Sequence, residues 1–181
     1  MEERKKMKRK WFAMKVFNNK ALEIEKIFQG WGIETYIPIQ WEEKVVKGEK
    51  KKIRKPAISS LIFLKLEEEK IDDIEKKLYP RANLYRYRQS KNPAVIPERE
   101  MAVFKMITST EESKWDFVDI GSMKFSTNDK VRVTGGYFEG AEGYIKRIKG
   151  NRRLVVAIEG IVAIATAYIP SCYLEKLTVN N

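Results

Sequence analysis

A glycine-rich turn between two alternating strands constrains the fold of this chain more than any other feature. Val131 and Val133 alternate with polar residues before the turn, and a second alternating run begins near Tyr144. The turn holds four glycines: Gly135, Gly136, Gly140 and Gly143. Glycine permits positive φ and close backbone approach, which the corners of a small, tightly curled sheet require. The segment therefore predicts a small antiparallel barrel, with Phe138 filling one end.

Two further strand-like runs follow the turn, Arg153 to Ile158 and Ile161 to Ile169, and a short one spans Tyr173 to Leu177. The β-branched residues of the second run favour a strand. Its strongly apolar character leaves two interpretations open, a barrel strand buried on one side or a surface that docks on another domain. The single cysteine, Cys172, is expected to be a small buried residue.

The first 108 residues carry the pattern of an α+β domain. A β-forming run spans Lys10 to Phe17, and Ile24, Phe28 and Trp31 then recur at helical spacing. The remaining segments predict, in order, a long strand over 33–46, a hairpin tip over 47–50, a buried strand over 60–66, a short helix, a strand over 83–87 and a helix after Pro97. This order describes an antiparallel sheet with helices, a ferredoxin-like sandwich.

Charge and periodicity divide the chain into two domains. We expect an N-terminal domain over 1–108, a linker over 109–127 where periodicity lapses, and a C-terminal barrel over 128–181. The first part holds 26 Lys and Arg against 16 Asp and Glu, and residues 109–181 hold 10 against 9. A basic domain favours a polyanionic partner, most often nucleic acid, although solubility alone also explains a charged surface.

Several kinds of chemistry are excluded by composition. The chain has no histidine, which rules out imidazole catalysis and imidazole metal ligands, and one cysteine cannot build a cysteine-rich zinc site. No phosphate-binding glycine loop and no apolar run long enough to span a bilayer are present. We expect a cytoplasmic protein that is not an enzyme, with no cofactor, no metal and no membrane partner.

The combined pattern resembles the NusG family, whose N-terminal NGN domain is linked to an SH3-like KOW barrel. Lys10-Trp11-Phe12 opens the first domain, Ile37-Pro38 follows its first helix, and Pro93 to Pro97 leads into its last helix. Gly-x-Phe-x-Gly-x-x-Gly, ending at Gly143, is similar to a KOW turn. The resemblance covers about Trp11 to Leu177 and implies a transcription elongation and antitermination factor.

In that family the N-terminal domain grips the clamp helices of the largest RNA polymerase subunit through a segment of the form Pro-Leu-Phe-Pro-Gly/Asn-Tyr-Val/Leu-Phe. The matching stretch here runs from Pro56 to Phe63. The resemblance makes Ile58, Leu61 and Phe63 the expected polymerase-binding residues. Strand alternation places Leu61 and Phe63 on one face, which is either exposed for contact or part of the core. The loss of the family's aromatic residues indicates a specialised paralogue of the RfaH or UpxY type, serving a polysaccharide-type operon.

Two basic groups are expected to bind nucleic acid, either upstream or non-template DNA or nascent RNA, through phosphate contacts. The residues concerned are Lys50, Lys51, Lys52, Arg54 and Lys55 at the hairpin, with Arg86 and Arg88 farther along. Tyr85 and Tyr87 alternate with those arginines and are expected either to stack on bases or to lie in the core.

The family's barrel contacts a small-subunit ribosomal protein or the termination helicase Rho. By position, the resemblance makes Phe138 and Ile161 the expected partner-binding residues. Val162 and Ala163 stand where the family often has an arginine, so the partner stays open. Docking of the barrel on the first domain, as in fold-switching relatives, is a further possibility. The alternative hypothesis is a ribosome- or RNA-associated KOW protein that binds RNA directly.

Overall fold

The computed structural model describes residues 8–109, 115–118, 130–148, 150–158 and 160–177. The chain separates into two units, Met1–Glu98 and Arg99–Asn181. The helix expected to close the N-terminal domain therefore falls almost entirely in the second unit. The domain boundaries drawn at 108 and 128 stay predictions.

The first unit alternates strands and helices, as the periodicity of its sequence predicts. In chain order its elements are β1 (Arg9–Val16), α1 (Ala21–Gly30), β2 (Glu34–Tyr36), β3 (Ile39–Val46), β4 (Glu49–Pro56), β5 (Leu61–Glu67), α2 (Ile71–Leu78) and β6 (Ala82–Leu84).

Four of these strands form one antiparallel sheet in the order β2-β5-β1-β6. The central strands β1 and β5 place Phe12 opposite Leu64 and Met14 opposite Ile62. Because side chains alternate along a strand, these four residues share one face, and the apolar stripes of α1 and α2 complete the same core. Helix residues in that core include Ile24, Phe28, Ile71, Ile74 and Leu78. This sheet with helices confirms the predicted α+β class.

The strand expected over 33–46 is broken at Pro38, which corrects the prediction of one long strand. β2 pairs with β5, whereas β3 pairs with β4 in a separate two-stranded sheet. Proline has no N–H to donate to a ladder, so the pairing partner changes there. The Pro38 carbonyl accepts a hydrogen bond from the Ala57 N–H at 2.8 Å. At the far end Lys47 and Gly48 have φ of 52° and 84°, the left-handed pair typical of a tight hairpin turn.

The second unit consists of one helix followed by strands. Its elements are α3 (Glu98–Thr108), β7 (Asp116–Val118), β8 (Lys130–Val133), β9 (Glu142–Ile148), β10 (Asn151–Ile158), β11 (Val162–Tyr168) and β12 (Leu174–Lys176). The strands form one antiparallel sheet in the order β12-β8-β9-β10-β11-β7. The expected all-β C-terminal part is therefore confirmed. β7 lies inside the segment interpreted as a linker, most of whose residues fall outside the described ranges.

Gly143 explains why the glycine-rich turn needs a glycine at the start of β9. A Cβ atom at this position would lie 2.5 Å from the backbone oxygen of Val155 and 3.0 Å from a methyl carbon of Leu154. Real Cβ atoms do not approach a carbonyl oxygen so closely, so β9 and β10 can pack this tightly here only around glycine.

Candidate nucleic-acid and protein interfaces

The register of the β3–β4 hairpin divides the predicted basic cluster between two faces. Residues directly paired across antiparallel strands point to the same face, and successive pairs point to opposite faces. Trp41 pairs with Arg54, Glu43 with Lys52 and Val45 with Lys50, so these six side chains share one face. We call this set the Trp41 face. The hairpin cations that the sequence groups together are therefore not one patch.

The opposite face pairs its cations with carboxylates. Lys55 Nζ donates to Glu42 at 2.7 Å, and Lys51 Nζ lies 3.6 Å from Glu49. The hydrogen bond from Lys55 lowers the pKa of the Glu42 carboxyl below its ordinary value, and Lys44 reinforces the shift. All of these groups are exposed, so each ion pair is weak and open to competition by a phosphate.

Arg54 anchors the Trp41 face to α1. Its Nη1 and Nη2 donate to the two carboxylate oxygens of Glu25 at 2.9 and 3.2 Å, and Glu25 is only 8% exposed. Hydrogen bonding to this carboxylate raises the pKa of Arg54 above its ordinary value. Arg54, predicted to contact nucleic acid, therefore holds the hairpin in place, and its charge is largely compensated.

An exposed tryptophan distinguishes the Trp41 face from the opposite one. The Trp41 side chain is 48% exposed, and Val45, four residues farther along the same strand, is 69% exposed. Among the described residues no ion pair involves Lys50, which lies directly opposite Val45. An exposed ring and an ammonium group on one face of a hairpin can bind the same strand, the ring stacking on a base and the cation contacting a phosphate farther along. The sequence interpretation missed Trp41, although its alternation with Glu43 and Val45 carries the signal.

Arg86 and Arg88 occupy different environments. Arg86 Nη2 donates to Asp72 at 3.1 Å and also to Glu75. Burial opposes the shift, but these hydrogen bonds raise the pKa of Arg86 overall. Both residues are exposed, but the charge of Arg86 is compensated by two carboxylates of α2, whereas no ion pair among the described residues involves Arg88. Of the predicted pair, Arg88 is the better placed to contact a phosphate.

The strand expected over 83–87 is shorter than predicted. β6 ends at Leu84, and only an isolated bridge between Arg86 and Pro93 continues the pairing. Burial raises the pKa of the Tyr85 phenol. The Tyr87 hydroxyl donates to the Val95 carbonyl at 3.1 Å and accepts from the Val95 N–H at 3.2 Å. These two hydrogen bonds stabilise the loop between residues 87 and 95.

The expected polymerase-binding residues lie mostly inside the protein. Leu61 is 1% exposed and Phe63 is 0% exposed, so of the two alternatives for this face, contact surface or core, the structure has the core. β5 is buried on both faces, with Ile62 and Leu64 in the core described above. Ile58 is half-buried and lies in the turn before β5, where its carbonyl accepts a hydrogen bond from the Leu61 N–H at 3.3 Å.

The residues expected to bind the second partner are both half-buried. Phe138 packs edge-on against Tyr137, with ring centroids 5.1 Å apart, and Tyr137 is 64% exposed. The Ile161 N–H donates to the Ile158 carbonyl at 3.0 Å in the turn before β11. The apolar run that begins there forms strand β11, as its β-branched residues predict.

Metal-binding clusters and membrane-spanning helices are both absent from the described ranges. There, no group of three His, Cys, Asp or Glu residues is arranged to hold a metal ion. In the same ranges, no helix has both the length and the apolarity needed to cross a bilayer. Cys172 is exposed, so the expectation that it is buried is wrong. It lies in a 3-10 turn, Ser171–Tyr173, rather than within a strand that would cover it.

Comparison with known proteins identifies a family and distant structural neighbours. The family described as "Transcription termination factor nusG" matches residues 9–105. No curated protein matches the chain. A solved structure titled "Domain interaction in Thermotoga maritima NusG" is 20% identical over 95% of this chain and 99% of that chain, with a TM-score of 0.49. At that identity and TM-score, the structure adds nothing to the family match.

Proposed function

The chain belongs to the NusG family of transcription factors, and from this premise we propose that it binds RNA polymerase through its N-terminal unit and promotes elongation and antitermination. The observation that carries the proposal is the family match, which spans 9–105 and so includes the whole four-stranded sheet. The family's members act without an enzymatic reaction, and we propose that this chain does the same in the cytoplasm, where it meets polymerase.

We propose that the turn containing Ile58 is the part of the polymerase-binding surface that touches the clamp helices. Leu61 and Phe63 are buried, so their role is to hold the turn in place from β5. The Ser59 hydroxyl donates to Asn19 at 2.7 Å, and the Ser59 carbonyl accepts from the Ala21 N–H at 3.3 Å. These bonds fix the turn against the start of α1, which gives Ile58 a defined position.

The Trp41 face and Arg88 are the proposed contacts to upstream or non-template DNA, or to nascent RNA. Lysines at the hairpin would bind phosphates without reading sequence, and Trp41 would stack on an unpaired base. Lys51 and Lys55 would contribute only after releasing Glu49 and Glu42.

The C-terminal unit would recruit a second protein through Phe138 and Ile161, with a small-subunit ribosomal protein or Rho as candidate partners. Covalent linkage to a polymerase-bound N-terminal unit raises the local concentration of any such partner near the elongating complex. We further propose a specialised role at a polysaccharide-type operon, supported by Ile58 and Leu61 standing where the family pattern has aromatic residues.

A binding experiment with purified core polymerase tests the proposal. The immobilised full chain should retain polymerase, and Ile58→Glu should weaken retention because it places a carboxylate on a half-buried contact residue. Gln29→Glu, at an exposed position of α1, adds the same charge in the same unit and should bind like the wild type. Leu61→Asp is a poor test, because a carboxylate on a fully buried strand would unfold the sheet. If the wild-type chain fails to retain polymerase, the proposal is wrong.

The alternative function is direct binding to RNA, as in a ribosome-associated KOW protein. The exposed Trp41 and Lys50 on one face of the hairpin are the observation that favours it. It predicts strong, salt-dependent RNA binding in the absence of polymerase. Tight RNA binding together with no retention of polymerase would support this alternative over the first proposal.

A further inference from the structure

One face of the C-terminal sheet can be assigned from its burial and register. Val131 and Val133 are buried, and Val131 pairs with Gly143. Because side chains alternate, Ile145 and then Arg147 of β9 point to the same face as Gly143. The apolar row along β9 therefore ends in an arginine.

The same face also carries a cation on β10 and on β12. On β10, Leu154 pairs with Ile145 and Arg152 pairs directly with Arg147. On β12, Lys176 pairs with Val131, so its side chain belongs to the same face. Three strands of the sheet thus carry one exposed cation each on this face.

These three cations line a pocket. Its volume is about 480 Å³, and its other lining residues are Val131, Ile145, Ser171 and Leu174. None of the described lining residues is acidic. Among the residues that the structure describes, no ion pair joins Arg147, Arg152 or Lys176 to a carboxylate.

Three other described cations of the sheet contrast with this arrangement. Arg132 donates to Glu142 at 2.8 Å, and Lys130 lies 3.9 Å from the same carboxylate. Arg153 donates to Asp116 at 2.6 Å. Like charges directly opposite each other across two strands are destabilising. Arg147 and Arg152 therefore form a pair that an anionic ligand would stabilise.

We propose that this pocket binds a phosphate group of a single-stranded nucleic acid. Two neighbouring guanidinium groups present forks of N–H donors that fit a phosphate, and Lys176 and the Ser171 hydroxyl can donate from the β12 side. Val131, Ile145 and Leu174 form an apolar floor that suits the sugar and base of an unpaired nucleotide. A phosphate spreads its charge over several oxygens, so it can satisfy three cations together better than one carboxylate can.

The inference goes beyond the proposed function, because it assigns a ligand to the C-terminal unit that needs no polymerase. The probe is a labelled oligouridine of about twelve nucleotides, and its binding to the full chain is followed by fluorescence anisotropy. The test variant is Arg147→Gln with Arg152→Gln. The matched control is Lys26→Gln with Lys76→Gln, which removes two exposed charges from the N-terminal helices.

The double arginine variant should bind the oligonucleotide at least about tenfold more weakly. The slope of its log affinity against log salt concentration should become shallower by the equivalent of about one phosphate contact. The control should lose no more than about threefold, because it removes only general attraction. The arginine variant should unfold at the same or a higher temperature, since the opposed like charges are gone. This second readout separates lost binding from lost folding.

Equal losses in the two variants would overturn the proposal, because the pocket would then contribute nothing beyond net charge. A decaglutamate peptide supplies the remaining comparison. If this peptide binds as tightly as the oligonucleotide and depends equally on Arg147 and Arg152, the pocket is a site for acidic peptide and the nucleic-acid assignment is wrong. Weaker peptide binding supports the assignment. Polymerase is absent throughout, so retention of polymerase and oligonucleotide binding can fail independently.

Discussion

Arg54 donates to both carboxylate oxygens of Glu25, so a hairpin with no third strand among the described residues is tied to α1 by a two-pronged ion pair. A bidentate arginine–carboxylate pair of this kind fixes the relative orientation of its two side chains and also stabilises their contact. The orientation of the Trp41 face, and with it the proposed nucleic-acid contact, depends on this pair.

Replacing Glu25 with Gln should therefore loosen the hairpin. The change leaves Arg54 without a charged partner and should lower the free energy of unfolding by about 1–3 kcal/mol, the usual worth of a hydrogen bond to a charged group. Chemical denaturation measures the loss, and hydrogen exchange should show faster amides in β3 and β4 than in β1. Gln29→Glu on the same helix serves as the control. Unchanged exchange in β3 and β4 would show that the ion pair does not orient the hairpin.

The two faces of the hairpin should differ in nucleic-acid binding. Lys50→Gln should weaken binding of a single-stranded oligonucleotide more than Lys51→Gln, because Lys51 already lies beside Glu49. Trp41→Ala should cost about 1–3 kcal/mol of binding if the ring stacks on a base. Both lysine variants remove one charge from adjacent positions, so net charge is matched. Equal effects at Lys50 and Lys51 would remove the reason for preferring the Trp41 face.

The Glu42–Lys55 pair makes a pH-dependent prediction. The pKa of Glu42 is lowered in the folded chain, so the pair stabilises the hairpin above the ordinary carboxyl pKa and is lost as pH falls through the lowered value. NMR titration of the Glu42 side chain should show this lowered pKa, and Lys55→Gln should return it toward the ordinary value. A Glu42 pKa unaffected by Lys55→Gln would contradict the assigned cause.

Gly143→Ala should destabilise the C-terminal sheet. The added methyl carbon would lie 2.5 Å from the Val155 backbone oxygen, and a backbone atom in a paired strand cannot move aside cheaply. We expect a loss of about 1–3 kcal/mol in the free energy of unfolding. Gly30→Ala is the control, because nothing lies within 4 Å of its Cβ position. Alanine there should be neutral or stabilising by up to about 1 kcal/mol.

Much of the fold could be predicted from local pattern. Alternation and helical spacing located β1, α1, β5 and the glycine-rich turn, because each of these elements buries one regular set of side chains. The predicted long strand over 33–46 contains Pro38. This proline instead marks the change of pairing partner, which depends on which strand is available to pair and not on the local sequence.

The candidate sites were less predictable, because they depend on register and on distant partners. Six consecutive residues from Lys50 look like one basic patch, and only the pairing with β3 shows that their side chains divide between two faces. Glu25 and Arg54 are far apart in sequence, so no local pattern indicates their ion pair. The pairing of Arg147 with Arg152 is likewise invisible until the β9–β10 register is known.

The burial of Leu61 and Phe63 also could not be predicted from the local sequence. An apolar strand has the same sequence pattern whether its second face is covered or exposed to solvent. The structure shows that both faces of β5 are buried. Of the three expected polymerase-binding residues, Ile58 is therefore the proposed contact, because its half-buried side chain lies in the turn before β5.

Single-round transcription by purified core polymerase, with and without the full chain, tests the central claim most directly. We predict that the chain raises the fraction of full-length transcript on a template with pause and termination sites, and that Ile58→Glu removes the effect while Gln29→Glu retains it. An unchanged pattern of paused, terminated and full-length products at saturating protein would contradict a role in elongation.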